Sequence, residues 1–466
     1  MYRTCIFILL DGARPDVLGQ LLQEKVLPNF YELFVKRGVF TRATTVFPST
    51  TGPAYLPYLT GKFPGECNIP GIRWFDRKVF SKSPWNLDRC RSYVGLENYF
   101  FNRDLSPNVK TIFEWFQNPV NIFSPMSRGV AWQNNHAYLL KSYYALVGRC
   151  FDDWSRVDQK LFDMALGALD KRPDFMFLAL PGIDELSHHL NPWSPEVLNQ
   201  YRAFDRHLGK LLQALDQRKM LEETLILCAA DHGLSAIQDH FDVVGFLERQ
   251  GCRAFYYPKI YRKDFDIAIM PSGNAMAHLY YKNGKGWAQA NDEHDLERFM
   301  DLLAPQPAIS WVAARKKEGG IYVRSREGEA VISKDHGMIG YRVSGKDPLH
   351  LGKIPSKLSS QESLESSFDQ KFPDALVQLL QLFESPRTGD LVLSAEPGFD
   401  LRLGYEWPEH RSSHGSLYRE HMQVPVAISH PVTFNKKLRS VDLFGLMLEL
   451  MGIRQYETQA TFLKAA

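Results

Sequence analysis

Residues 5–12, Cys-Ile-Phe-Ile-Leu-Leu-Asp11-Gly12, decide the fold. An unbroken apolar run of this length has the composition of a strand buried on both faces, the kind a parallel sheet requires. It falls far short of the ~20 residues that span a bilayer. It has the look of a signal peptide's apolar centre, yet it runs straight into Asp11-Gly12 with no small-residue cleavage site. Similar runs recur at residues 175–180, 224–230, 391–393 and 424–428. Helical patterns lie between them. The clearest opens at Ser194-Pro195-Glu196, a capping serine with proline in the first turn, and continues as an apolar stripe through Val197, Tyr201, Phe204, Leu208, Leu211 and Leu215. Strands alternating with helices predict an α/β fold: a doubly wound, mostly parallel sheet with helices on both faces.

The chain has 466 residues, more than one compact core usually holds. Between about 246 and 386 the texture changes to Gly, Lys and short alternating segments. Residues 329–333, Lys-Asp-His-Gly and residues 338–343 read in succession as a hairpin, not a strand–helix–strand unit. The expected organisation is a core of residues 1–245 and 386–466 with a smaller α+β cap lobe, 246–385, inserted. The aromatic-rich stretch 75–170 is expected to cover one side of the active site. A formal net charge of +2 with 23% charged residues gives no footprint for a nucleic-acid polymer. No apolar run predicts a transmembrane segment. The six cysteines are scattered without a CxxC pair, which suggests reduced thiols in a cytoplasmic protein.

In open α/β sheets, ligands bind just outside the carboxyl ends of the strands. Three of the apolar runs lead into acidic residues there. Residues 5–10 end in Asp11; residues 175–180 are followed by Pro-Gly-Ile-Asp184-Glu-Leu-Ser-His188; residues 224–230 end in Asp231-His232-Gly233. One such ending is ordinary turn or cap chemistry, but three in one chain, two with a histidine in reach, are hard to assign to capping. Carboxylates with imidazoles suit Zn²⁺ or a similar divalent ion. Asp184 and His188 would share one face of a helical turn or converge from a loop. His414, in the small-residue loop Ser412-Ser-His-Gly-Ser, supplies a further donor.

These residues, with Val46-Phe-Pro-Ser-Thr-Thr51-Gly-Pro and Leu59-Thr-Gly-Lys-Phe-Pro64, stand in an order and spacing that resembles the type I phosphodiesterase/nucleotide pyrophosphatase family of the alkaline phosphatase superfamily. The resemblance covers roughly residues 1–75, 170–245 and 400–430. It implies an alkaline-phosphatase-like fold and a metal-dependent phosphoric ester hydrolase, a phosphodiesterase, with two divalent ions, zinc or else Mn or Mg. Carried over by position, it puts Asp11, Thr51, Asp231 and His232 around one ion and Asp184, His188 and His414 around the other. It makes Thr51 the nucleophile, with a phospho-threonine intermediate on a small phosphate-ester substrate. Three carboxylates against two dications leave a net charge near +1, which favours an anionic phosphate.

The chain departs from the family beyond Thr60-Gly61, where nucleotide-acting members commonly carry an asparagine. Here the stretch reads Asn68-Ile-Pro-Gly-Ile-Arg73, and Arg73 offers a charged phosphate clamp in its place. That departure keeps a phosphomonoesterase in view as the alternative. A sulfatase or phosphonate hydrolase, a phospho-head-group transferase and a non-catalytic binding protein are further rivals. The Cys/Ser-x-Pro-x-Arg context of sulfatases is missing around Thr51, and every ligand position that a binding protein would be free to lose is filled. Asp335-His336-Gly337 follows a polar strand and reads as turn chemistry. His410 and His421 flank His414 outside the motif. Tyr143, Tyr144 and Trp154 suggest an apolar wall.

Overall fold

The run at residues 5–10 forms the strand Thr4–Leu10, buried along its whole length. In the computed structural model, which describes residues 2–139, 143, 148, 153–284, 286–401 and 409–453, it lies inside an eight-stranded sheet. The order is Leu438–Arg439, Val39–Thr44, Gln423–Ile428, Thr224–Ala229, Thr4–Leu10, Phe175–Leu180, Pro119–Ile122, Asn135–His136. Five of the seven pairings are parallel, so the sheet is mostly parallel as expected. Phe175–Leu180 and Thr224–Ala229 flank the first strand in register, Leu10 beside Leu180 and Leu9 beside Ala229. The three acidic strand ends therefore emerge side by side. One apolar cluster joins this sheet to helices Pro15–Gln23, Trp154–Ala168, Pro195–Gln217 and Asp442–Leu450 through residues such as Leu18, Leu161, Leu208 and Leu446. Ser194 caps the long helix as its sequence predicted, its Oγ accepting from Val197 N.

A second sheet of nine strands runs in the order Ala254–Phe255, Ile267–Ser272, Met276–Tyr281, Leu391–Ala395, Ile309–Arg315, Ile321–Arg324, Gly328–Asp335, Met338–Gly345, Lys357–Leu358. All but its first pairing are antiparallel. Gly328–Asp335 and Met338–Gly345 form the predicted hairpin, closed by His336 and Gly337, both at positive φ as a tight two-residue turn requires.

Two strands correct the sequence reading. The run at residues 391–393 was expected in the parallel sheet. It forms Leu391–Ala395 in the second sheet, antiparallel to both neighbours. The run at 424–428 forms Gln423–Ile428 in the main sheet but runs antiparallel to Thr224–Ala229 and Val39–Thr44. Both strands are buried throughout. An apolar run covered on both faces carries no alternation to reveal its sheet or its direction.

Asp158 pins three helices behind the main sheet. Its carboxylate accepts from Gly182 N at 3.2 Å and from Gln200 Nε2 at 2.5 Å. Burial pushes this carboxyl from its ordinary 3.8 up to about 7, against the opposing pull of the two hydrogen bonds. Below the lower value the folded and unfolded chains both hold the proton. Between the two values only the folded chain does, so stability is lost as pH rises through the window. Urea unfolding of Asp158→Asn should move in the variant's favour, relative to wild type, by roughly 1.4 kcal/mol per pH unit across that window. A difference that does not vary with pH would remove Asp158 as its source.

Candidate metal centre

The side chains converge at the carboxyl edge of the three central strands. Asp11 follows Thr4–Leu10 and Asp231 follows Thr224–Ala229, while Asp184 and His188 sit one turn apart on the helix Gly182–His189. The helical alternative for that pair is the one found. Asp11, Asp231 and His232 offer ligand atoms within 4.8 Å of one another, and Asp184, His188 and His414 do the same; all six are buried. Gly12, at φ +71°, lets the strands close up. A Cβ there would stand 2.8 Å from Asp184 Cβ and 2.6 Å from Leu234 Cδ1.

The ribbon Ser235–Ala236 with Ser412–Ser413 ties the loop after His232 to the loop before His414. The two imidazoles stack with centroids 3.8 Å apart. From the second sheet, the hairpin between Ile267–Ser272 and Met276–Tyr281 holds His414 by its backbone. His414 N donates to Gly273 O, and Ala275 N donates to His414 O.

The histidines are set for coordination. Nδ1 of His188 lies 3.0 Å from Ser412 O, Nδ1 of His414 lies 3.0 Å from Ser49 O, and Nδ1 of His232 lies 3.2 Å from Gly233 O. A carbonyl only accepts, so each Nδ1 carries a proton, and Nε2 is the nitrogen left to face a cation, the arrangement seen in metal-bound histidines. Nε2 of His232 is 3.3 Å from Asp231 Oδ2 and 3.5 Å from Asp11 Oδ1; Nε2 of His188 is 3.4 Å from Asp184 Oδ2. Ligands about 2.0–2.1 Å from a tetrahedral ion stand about 3.3 Å from each other, so this spacing fits a shared cation.

The electrostatics point the same way. Burial raises the carboxyl of Asp11 well above its ordinary value, and the fields of Asp231 and Asp184 raise it further. Asp231 is raised by burial too. Asp184 is lowered despite its burial, through the charge of His188, which is itself raised to about 9 in spite of burial by Asp184. Burial, with His232 close by, holds His414 far below the usual imidazole value. Asp184 Oδ1 and Asp231 Oδ2 are buried with no hydrogen-bond partner. Buried carboxylates in one another's fields, with oxygens left unsatisfied, call for a cation. The donor set fits divalent metal.

Thr51 stands at the first cluster. Its Oγ1 is 3.3 Å from Asp11 Oδ1 and 3.2 Å from His232 Nε2. The neighbouring hydroxyls face elsewhere: Ser49 Oγ donates to Ser416 O, and Thr50 Oγ1 is buried without a partner. Arg73 lies on the short strand Arg73–Phe75, half-buried, with Nε donating to Ser92 Oγ at 3.2 Å. Its strand runs beside the hairpin that holds His414, Ile72 N donating to Ser272 Oγ.

Sequence reading missed Tyr55, whose hydroxyl donates to Asp11 Oδ2 at 2.8 Å. The signal was there, a tyrosine four residues past Thr51 in a short helical segment. His410, left outside the motif, lies against His188 with ring centroids 4.4 Å apart. His421 sits behind the site, bridging the hydroxyls of Ser235 and Ser416. His336 is exposed in its hairpin turn, remote in kind from the buried clusters. Tyr144 of the proposed apolar wall lies outside the described residues, Tyr143 is exposed, and Trp154 is buried.

The family model described as type I phosphodiesterase / nucleotide pyrophosphatase matches residues 5–417. A venom phosphodiesterase of Naja atra is 33% identical over 271 residues, which are 56% of this chain and 30% of that protein. The chain thus matches under a third of that relative's length. In structure, phosphonoacetate hydrolase from Sinorhizobium meliloti 1021 aligns over 97% of this chain and 96% of its own, with a TM-score of 0.58 at 17% identity. Murine ectonucleotide pyrophosphatase / phosphodiesterase 5, in an inactive form in complex with AMP, aligns over 99% and 98%, with a TM-score of 0.56 at 15% identity. The fold is alkaline-phosphatase-like, as the sequence implied.

Repulsion among the carboxylates gives the metal-free protein a distinctive response. After exhaustive chelation, Asp231→Asn should melt at a higher temperature than wild type, because one member of a buried like-charged group is gone. Added Zn²⁺ or Mn²⁺ should raise the melting temperature of wild type more than that of the variant. Equal responses to metal would exclude Asp231 as a ligand.

Proposed function

The chain belongs to the type I phosphodiesterase/nucleotide pyrophosphatase family, and we propose that it hydrolyses a phosphodiester, with Thr51 as nucleophile and two divalent cations, zinc in the first instance. The observation that carries this reading is the Thr51 hydroxyl, 3.3 Å from Asp11 Oδ1 and 3.2 Å from His232 Nε2, at the edge of the buried cluster of Asp11, Asp231 and His232.

When bound, paired cations lower the pKa of a hydroxyl they touch and neutralise the oxygens of an in-line phosphoryl displacement. The chain's own residues do the rest. Tyr55 and Gly12 N hold Asp11 and Asp231 in position, and the carbonyls of Ser49, Ser412 and Gly233 hold the three imidazoles. Thr51 Oγ, its proton released, attacks phosphorus. The bond to the leaving alkoxide breaks on the opposite side, and phospho-Thr51 forms. Water then attacks phosphorus and releases the Thr51 oxygen with the monoester product. Arg73 is the proposed charged contact to a phosphate oxygen.

The AMP complex of the murine protein favours a nucleotide-sized substrate for this chain as well. Compartment belongs to the same reading. Cys5, Cys67, Cys90 and Cys228 are buried thiols, which suits a reducing cytoplasm.

The test is hydrolysis of paired aryl phosphate diesters and monoesters by metal-loaded protein. The diester should be preferred, and Thr51→Ala should lose activity by several orders of magnitude with its bound metal largely retained. Wild-type rates in Thr51→Ala would rule out the nucleophile; preference for the monoester would shift the reading to a phosphatase.

A further inference from the structure

Residues 81–87, Ser-Lys-Ser-Pro-Trp-Asn-Leu, are all exposed. Trp85 is 56% and Leu87 76% accessible. A second loop brings Tyr261, 66% accessible, to the same place. Arg89 Nη2 donates to Ile260 O at 3.1 Å, and Lys263 Nζ lies 4.0 Å from the centre of the Trp85 ring. Single exposed apolar residues are normal, but a Trp, a Leu and a Tyr on adjoining loops form a patch.

The charge around it that lacks an ion-pair partner among the described residues is positive. Lys82 and Lys263 are exposed. The nearby carboxylates are already engaged, Asp88 by Arg91 and Arg103 and Asp264 by Arg253. Lysine is depleted at the cores of protein–protein interfaces. Beside an anionic leaflet, by contrast, each lysine adds attraction. Tryptophan and tyrosine, apolar in body and polar at one end, favour the headgroup level, with an apolar side chain reaching further in.

We propose that this two-loop tip docks the protein reversibly on an anionic lipid surface, Trp85, Leu87 and Tyr261 entering the interface and Lys82 and Lys263 facing the headgroups. None of these residues belongs to the two buried carboxylate–histidine clusters, and the proposal stands whatever reaction those clusters perform.

The experiment is co-sedimentation of the full chain with vesicles of phosphatidylcholine alone or with added phosphatidylserine. Wild type should bind the anionic vesicles, less so as salt is raised. Trp85→Ala with Leu87→Ala should lower the partition coefficient about ten-fold or more. Lys82→Ala should lower it about five-fold, the equivalent of about 1 kcal/mol for the one charge removed. The same variants should retain the wild-type melting temperature and circular dichroism spectrum, which separates a lost surface from a lost fold. No binding to anionic vesicles, or binding indifferent to these substitutions, would overturn the proposal. So would self-association through Trp85, seen by light scattering, without vesicle binding.

Discussion

Three carboxylates, those of Asp11, Asp184 and Asp231, are driven into one buried space by the pairing of three adjacent parallel strands and the helix that follows one of them. A parallel sheet delivers successive strand ends to the same edge, and burial there removes the water that would screen the charges. Among the described residues, no arginine or lysine pairs with these groups. Instead the protein surrounds them with histidines whose protons are committed to backbone carbonyls. That arrangement is unfavourable alone and favourable around cations, which ties the stability of the core to the chemistry of its edge.

The second sheet takes part in this constraint. Its hairpin at Gly273 and Asn274 lies against His414, and a Cβ at Gly273 would stand 2.7 Å from His414 Nδ1. The loops from Ser412 to Ser416 and from Ser235 onward are braced by His421 and by backbone pairing. The centre is thus held between two sheets, with the clustered carboxylates at the edge of the first and part of the bracing from the second.

Much of this was legible from residue order. The runs at 5–10 and 224–230 announced strands, their acidic endings announced an edge, and the spacing of Asp184 to His188 allowed the helix turn that is found. What stayed illegible has physical causes. The runs at 391–393 and 424–428 are apolar throughout, so neither face nor direction is written in them; partner and polarity come from tertiary contact. The hydrogen bond from Tyr55 to Asp11 joins residues 44 apart in sequence, and the carbonyls of Ser49 and Ser412 act as backbone, whose role no side-chain pattern encodes. The exposed tip at Trp85 was invisible because the aromatic-rich stretch 75–170 reads as a cover over the active site, and sequence does not tell which of its aromatic side chains face solvent.

The most direct measurement is anomalous X-ray scattering at the metal edge from crystals of the purified chain. Two peaks about 3.5–4 Å apart are predicted, one among Asp11, Thr51, Asp231 and His232 and the other among Asp184, His188 and His414. A metal-supplemented crystal in which these clusters hold no scatterer, or in which the ion lies at some other surface, would contradict the account.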